Sequence, residues 1–205
     1  MTDALKGKAE VLYAKGCNIC YDSILEKNST MFGREMRDNR DANTMRDEAV
    51  NIARQADVIV ACMGEPSEMT GESSSRTNLE ILDAQKDLLT ALKATGKPIV
   101  LLNFSGRATV MNWEKENFST IMNVWFGGSE TGDAICDVIF GDASPSGRLC
   151  VSMPKSVGQI PIYYSHLNTG RPCKEWFSKF TSNYLDVDNQ PLYPCLLYTS
   201  PSPRD

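Results

Sequence analysis

Residues 57–104, DVIVACMGEPSEMTGESSSRTNLEILDAQKDLLTALKATGKPIVLLNF, decide the fold. Asp57 to Met63 is a β-branched apolar run of strand length, and Pro98 to Phe104 is a second. Runs of this kind, without polar alternation, belong to strands covered on both faces of a parallel sheet. Between them Ile81, Leu88, Leu89 and Leu92 recur at helical spacing, and Gly96 followed by Lys97-Pro98 supplies a helix stop. Strand, helix, strand in this order forms a right-handed βαβ crossover.

The same alternation extends outward. Upstream, Glu10 to Ala14 reads as a strand, and Met45, Ala49, Ile52, Ala53 and Ala56 mark an amphipathic helix behind Thr44, an N-cap with Asp47 three residues on. Downstream, a short crossover over 106–113 leads to a strand from Ser119 to Trp125. A helix from about Glu130 to Phe140 follows, with Ala134, Ile135, Val138 and Ile139 on one side, ending before Gly141-Asp142. Residues 147–153, GRLCVSM, add an expected edge strand. The fold class expected for residues 1–154 is therefore α/β: a mostly parallel sheet with helices on both faces, an α/β sandwich. Residues 155–194 lack periodicity and read as an extended segment that wraps the domain or links it to another. Residues 195–205, CLLYTSPSPRD, fit nothing before them and are expected to be a non-native or disordered tail. Glu26 to Asn43, rich in Asn, Arg and Asp, reads as a solvated surface loop.

Composition narrows the function classes. The 205 residues are 41% hydrophobic and 23% charged, ordinary globular usage. A net charge of -5 removes the general attraction to phosphate backbones, so no nucleic-acid partner is expected. No apolar run approaches the roughly 20 residues of a membrane span, so no membrane partner is expected either. Residues 1–8 carry no apolar leader, which leaves a cytoplasmic location or a signal outside this chain. Seven cysteines show no disulfide framework. Cys17-Asn18-Ile19-Cys20 is a C-x-x-C pair, but zinc needs four ligands and His166 is the sole histidine, so neither metal nor cofactor is expected.

Ligands of open α/β sheets sit beyond the carboxyl ends of the strands. There the loop Gly64 to Arg76 is far longer than the usual roughly 2–6 residues. It carries Glu65, Glu68, Glu72 and Arg76 among serines and glycines, and composition leaves two readings open: a solvated acidic loop, or a site for a polyhydroxylated ligand with a general acid. Gly127-Gly128-Ser129-Glu130-Thr131-Gly132 stands where phosphate cradles stand, but it has no P-loop lysine, and Glu130 opposes an anion. Tight packing with Ser129 or Thr131 as N-cap is the expected role. His166 has no nucleophile arranged with it and reads as a surface histidine.

Several linked motifs carry a resemblance. Trp125-Phe126-Gly127-Gly128-Ser129-Glu130-Thr131-Gly132-Asp133-Ala134, then Asp137 to Asp142 and Ser144 to Leu149, resemble the carboxy-terminal α/β sandwich domain of glycoside hydrolase family 3. Leu5-Lys6-Gly7, Tyr13 to Cys17, Val60 to Glu65, Gly71 to Leu79, Gly158 to Tyr164, His166 to Pro172 and Tyr193-Pro194 are similar to bacterial β-glucosidases of that family. The resemblance implies a part of a retaining β-glucosidase acting on β-glucosides or oligosaccharides. A retaining mechanism uses two carboxyl groups roughly 5 Å apart. By the resemblance, the nucleophile belongs to an amino-terminal barrel that is absent here, a partner domain of the parent chain. The acid/base is Glu72, by its place in Glu-x-x-x-Arg-x-x-Leu with Arg76 and Leu79, and Arg76 is the expected substrate-binding residue. The chain alone is expected to be inactive, its isolated loop solvated and mobile, and the parent periplasmic or secreted. Cys150 in place of a family proline, and the tail after Pro194, depart from the pattern. A flavodoxin-like or Rossmann-like ligand-binding module, or a non-catalytic interaction module, accounts for the same sheet.

Overall fold

The computed structural model describes residues 1–29, 37–173, 175–176 and 178–197. These fall into two compact units: the described residues of 1–76 with 81–107 and 113–143, and those of 77–80 with 108–112 and 144–197.

The first unit contains the sheet. Strands β1 (Ile59–Gly64), β2 (Ile99–Phe104) and β3 (Thr120–Asn123) lie side by side in that order. Both pairings are parallel, with Ala61 opposite Leu101 and Leu101 opposite Ile121. Helices α1 (Ser23–Asn28), α2 (Ala42–Gln55), α3 (Asp83–Lys93), α4 (Asn112–Asn117) and α5 (Thr131–Phe140) complete the main elements. The expected α/β parallel arrangement is what the chain forms.

One core holds this unit together. Ile59, Ala61, Met63 and Leu101 turn toward Ala49 and Ala53 of α2 and Leu88, Leu89 and Leu92 of α3, with Phe118 closing the side. Leu89 and Leu101 are fully buried. The α3 leucines named from the sequence are thus the helix face that covers the sheet.

Several local expectations differ from the structure. The cap of helix α2 stands three residues before the predicted one: Asp41 is the N-cap, and its carboxylate accepts from the Thr44 amide at 3.0 Å. Both residue types can cap. The earlier start brings Met45 to complete burial one turn into the helix. Glu10 to Ala14 is not a strand. Leu12 is 40% and Tyr13 82% exposed, so the run gains too little burial to hold a place on the sheet. At α5 neither Ser129 nor Thr131 caps; Glu130 holds the N-cap position without a side-chain bond, and the Thr131 hydroxyl donates to the Gly128 carbonyl at 2.7 Å. The 26–43 stretch is more than a solvated excursion. Glu26 is buried in α1 and pairs with Arg37 at 2.6 Å, while Asn18 and the Asp38 backbone exchange two hydrogen bonds. Residues 30–36 lie outside the described ones.

In the second unit, residues 147–153 form no strand of the sheet. Met153 makes an isolated antiparallel bridge to Tyr193, and Pro154 and Pro194, which have no N–H to donate, interrupt the ladder beside it. Gln159, buried, organises the extended segment: its carbonyl accepts from the Lys155 amide at 2.7 Å, and its amide donates to the carbonyls of Asp188 and Gln190. Lys155 pairs with Asp188 at 2.6 Å and holds that carboxyl below its ordinary value. Residues 195–197 lie against 149–152. Leu196 and Leu149 join by a 2.7 Å backbone bond, and the Cys195 amide donates to the Ser152 hydroxyl at 3.2 Å. The remainder of the expected tail, 198–205, lies outside the described residues.

Leu101→Ala should destabilise the chain by about 2–5 kcal/mol, since it opens a cavity under two helices. Urea unfolding followed by far-UV circular dichroism gives the value, and a change within error would mean that this core does not govern stability.

Candidate functional site

The site grows out of the end of β1. Gly64 has φ +130, and a Cβ there would stand 1.8 Å from the Phe104 carbonyl oxygen, so only glycine lets β1 lie this close to β2. The buried Gln85 side chain fastens the same residue. Its carbonyl accepts from the Gly64 amide at 2.6 Å, and its amide donates to the carbonyls of Gly64 at 2.8 Å and Ile19 at 3.0 Å. Fixed in this way, the chain enters the long loop with its first side chain, Glu65, pointing inward.

Glu65 is the buried charge of the loop, its side chain 3% exposed. Arg76, at the far end of the loop, pairs with Oε1. Arg107 pairs with Oε2 at 3.1 Å, and the Ser105 hydroxyl lies 3.2 Å from the same oxygen. Arg107 also donates through Nη2 to the carbonyls of Met69 and, at 2.7 Å, Ser74. A short 3₁₀ turn, Ser67–Thr70, drops Met69 into a small cluster with Cys20 and Leu82. The Ser74 hydroxyl donates to the Glu68 carbonyl at 2.9 Å. An isolated loop was expected to be solvated and mobile; this one is knit by its own polar contacts and anchored by one apolar side chain.

The three loop carboxylates therefore differ in surroundings. Glu65 is enclosed by two guanidinium groups. Glu68 is half-buried and accepts from the Ser67 hydroxyl at 3.0 Å. Glu72 is exposed, on the stretch between the two carbonyls that Arg107 holds, and the next residue, Ser73, adopts a left-handed φ of +62. Arg76 is 12% exposed and faces Glu65. Sequence reasoning singled out Glu72 and Arg76 and missed Arg107 and Ser105. The signal that could have found them is an arginine in the turn after the second strand, beside a glutamate in the turn after the first.

Of the other residues marked from the sequence, Cys20 packs against Met69 of the loop. His166 is exposed, its ring 5.5 Å from that of Tyr163. Cys17 and Cys20 are free thiols. Burial pushes the Cys17 thiol up to about 11, and Cys20 rises for the same reason. Among the described residues no group of three His, Cys, Asp or Glu side chains could hold a metal ion, and no helix is long and apolar enough to cross a membrane.

Comparison with known proteins places this arrangement in context. Residues 2–200 match the family model described as the glycosyl hydrolase family 3 C-terminal domain. Over 194 residues the chain is 50% identical to a periplasmic β-glucosidase of Salmonella typhimurium, covering 94% of this chain and 25% of that protein. A β-xylosidase of Formosa agariphila is 33% identical over 196 residues, covering 94% and 24%. Among solved structures, a β-glucosidase from Listeria innocua in complex with isofagomine superposes with a TM-score of 0.72 at 34% identity, covering 76% of this chain and 22% of that one. A β-glucosidase from Erythrobacter marinus gives 0.72 at 32%, covering 95% and 26%. The chain spans about a quarter of the length of the curated relatives it matches.

Two outcomes follow from the geometry. Glu65→Ala, which strands two arginines against each other, should cost about 3–5 kcal/mol of stability in chemical unfolding; a loss below 1 kcal/mol would show that water already neutralises the cluster, as at an exposed pair. At pH 8 Cys17 should alkylate more slowly than the exposed Cys150, read by mass spectrometry of labelled peptides, because little of it is thiolate.

Proposed function

The chain belongs to glycosyl hydrolase family 3, as its C-terminal domain, and from that premise we propose that it supplies the acid/base loop of a retaining β-glucosidase. The observation that carries the reading is the sorting of the loop carboxylates. Glu65 is buried and committed to Arg76 and Arg107, whereas Glu72 stands exposed on a loop held from below. A general acid must reach the leaving oxygen of a substrate, and Glu72 has that access.

In the proposed reaction a carboxylate on another domain attacks the anomeric carbon as Glu72, protonated, gives its proton to the departing glycosidic oxygen. Glu72, now ionised, then takes a proton from the water that releases the sugar. One carboxyl group cannot fill both places, so these 205 residues alone are proposed to be inactive. The domain that brings the nucleophile is their natural partner. Terminal β-glucosides are the proposed substrate class and a periplasmic or secreted setting the proposed location, both supported by the 50% identity to the Salmonella protein. Arg76, the proposed substrate-binding residue, also pairs with Glu65 and so closes the loop that carries Glu72.

The test joins residues 2–194 to the rest of the Salmonella enzyme in place of their counterpart. Glu72→Gln should slow hydrolysis of cellobiose by about 10²-fold or more, while dinitrophenyl β-glucoside, whose phenolate leaves without a proton, should still form the glycosyl-enzyme. Added azide should then speed its turnover by replacing the water that needs a base. If Glu72→Gln leaves cellobiose turnover intact and Glu68→Gln abolishes it, the role belongs to Glu68.

A further inference from the structure

We propose that Arg107 is the positioning residue of this site: it holds Glu72 in place by binding the backbone on both sides of it, with Glu65 as the buried anion that fixes the guanidinium. This rests on the reading of Glu72 as the acid/base. The connections form one chain of contacts. Nε of Arg107 is 3.1 Å from Glu65 Oε2, its amide donates to the Ser105 hydroxyl at 3.1 Å, and Nη2 reaches the carbonyls of Met69 and Ser74. Those carbonyls lie three residues before Glu72 and two after it. A loop tied at 69 and 74 leaves Glu72 little backbone freedom while its side chain stays open to solvent.

Two further observations support the role. The turn carrying Arg107 presses directly on the loop, since a Cβ at Gly106 would stand 2.6 Å from the Thr70 hydroxyl oxygen. The task also suits arginine and not lysine. A planar guanidinium addresses a carboxylate and two carbonyls in fixed directions at once, whereas an ammonium is a point charge on a flexible stem. Arg76 closes the base of the loop on the other oxygen of Glu65, so the same anion fixes the loop's last residue and its tether. Displacing a proton donor by about 1 Å is enough to cost about 10²-fold in rate, so the tether matters to catalysis without touching substrate.

Two measurements test this. In the 205-residue chain, Arg107→Ala should speed hydrogen exchange at the amides of Met69, Gly71 and Ser74 by about tenfold or more, the loss of charge-assisted bonds to the loop, with β1 and β2 unchanged. Unchanged loop exchange would overturn the proposal. Should Arg107→Ala unfold the chain, Arg107→Lys keeps a cation beside Glu65 but loses the fork, and gives the same readout. In the Salmonella enzyme carrying this segment, Arg107→Lys should lower kcat on cellobiose by about 10²-fold at little-changed KM, and slow formation of the glycosyl-enzyme from dinitrophenyl β-glucoside, read as the burst of dinitrophenolate, far less. Equal losses in the two readouts, or none, would mean a purely structural part. Glu72→Gln in the same enzyme separates the two ideas. If it shows no dependence on the leaving group, the acid/base reading falls; if it does and Arg107→Lys does not, only the positioning role falls.

Discussion

A carboxylate at the end of a buried strand cannot remain there alone. Taking an ion of that size out of water costs several kcal/mol even after relaxation, and the cost is offset only when opposite charge and hydrogen bonds surround it. Glu65 meets that condition with two guanidinium groups, from positions 11 and 42 residues further along the chain. The constraint reaches well beyond the pair. It brings the last residue of the long loop back to its first, and it sets the turn after β2 against the turn after β1. The parallel pairing of the strands supplies the frame, because β1 and β2 end side by side at Gly64 and Phe104.

The frame was legible in the sequence because it rests on side-chain chemistry repeated along the chain. The apolar runs at 57–63 and 98–104 and the leucines between them can be satisfied in few ways, and the structure buries Leu88, Leu89 and Leu101 together as the pattern requires. Boundaries were less legible. Asp41 and Thr44 are both competent caps, and the choice between them lies in the burial of Met45, which no local rule contains. Segments 10–14 and 147–153 have strand-like composition without a strand's neighbours. A strand is defined by what it pairs with, and Met153 finds only an isolated partner in Tyr193.

The site divides along the same line. Glu72 and Arg76 stand in a spaced motif and could be read from the chain, and their spacing says which residues belong to one loop. What Arg76 faces could not be read. An arginine near a glutamate in a loop read as a site for a polyhydroxylated ligand invites assignment to that ligand; in the structure it lies 12% exposed against Glu65, and Arg107 from another loop shares the same anion. Burial decides which carboxylate is structural and which is available, and burial belongs to the tertiary fold.

On the proposed reading of Glu72 as the general acid, this separation answers a conflict built into general acid catalysis. The donor must be open enough to meet a substrate and rigid enough to keep an angle and a distance, and an exposed side chain on a long loop offers the first at the expense of the second. Stiffening such a loop with apolar residues would cover the carboxylate it presents. Met69 is the loop's one deep apolar anchor, and it sits on the 3₁₀ turn ahead of Glu72. The remaining stiffness comes from backbone carbonyls gripped by a cation whose own position is set by Glu65. A buried ion pair contributes little net stability by itself, since an apolar cluster of similar volume would serve as well. What an apolar cluster could not supply is direction: guanidinium N–H groups point at particular oxygens, and the oxygens they select lie on either side of Glu72, the most open of the three loop carboxylates.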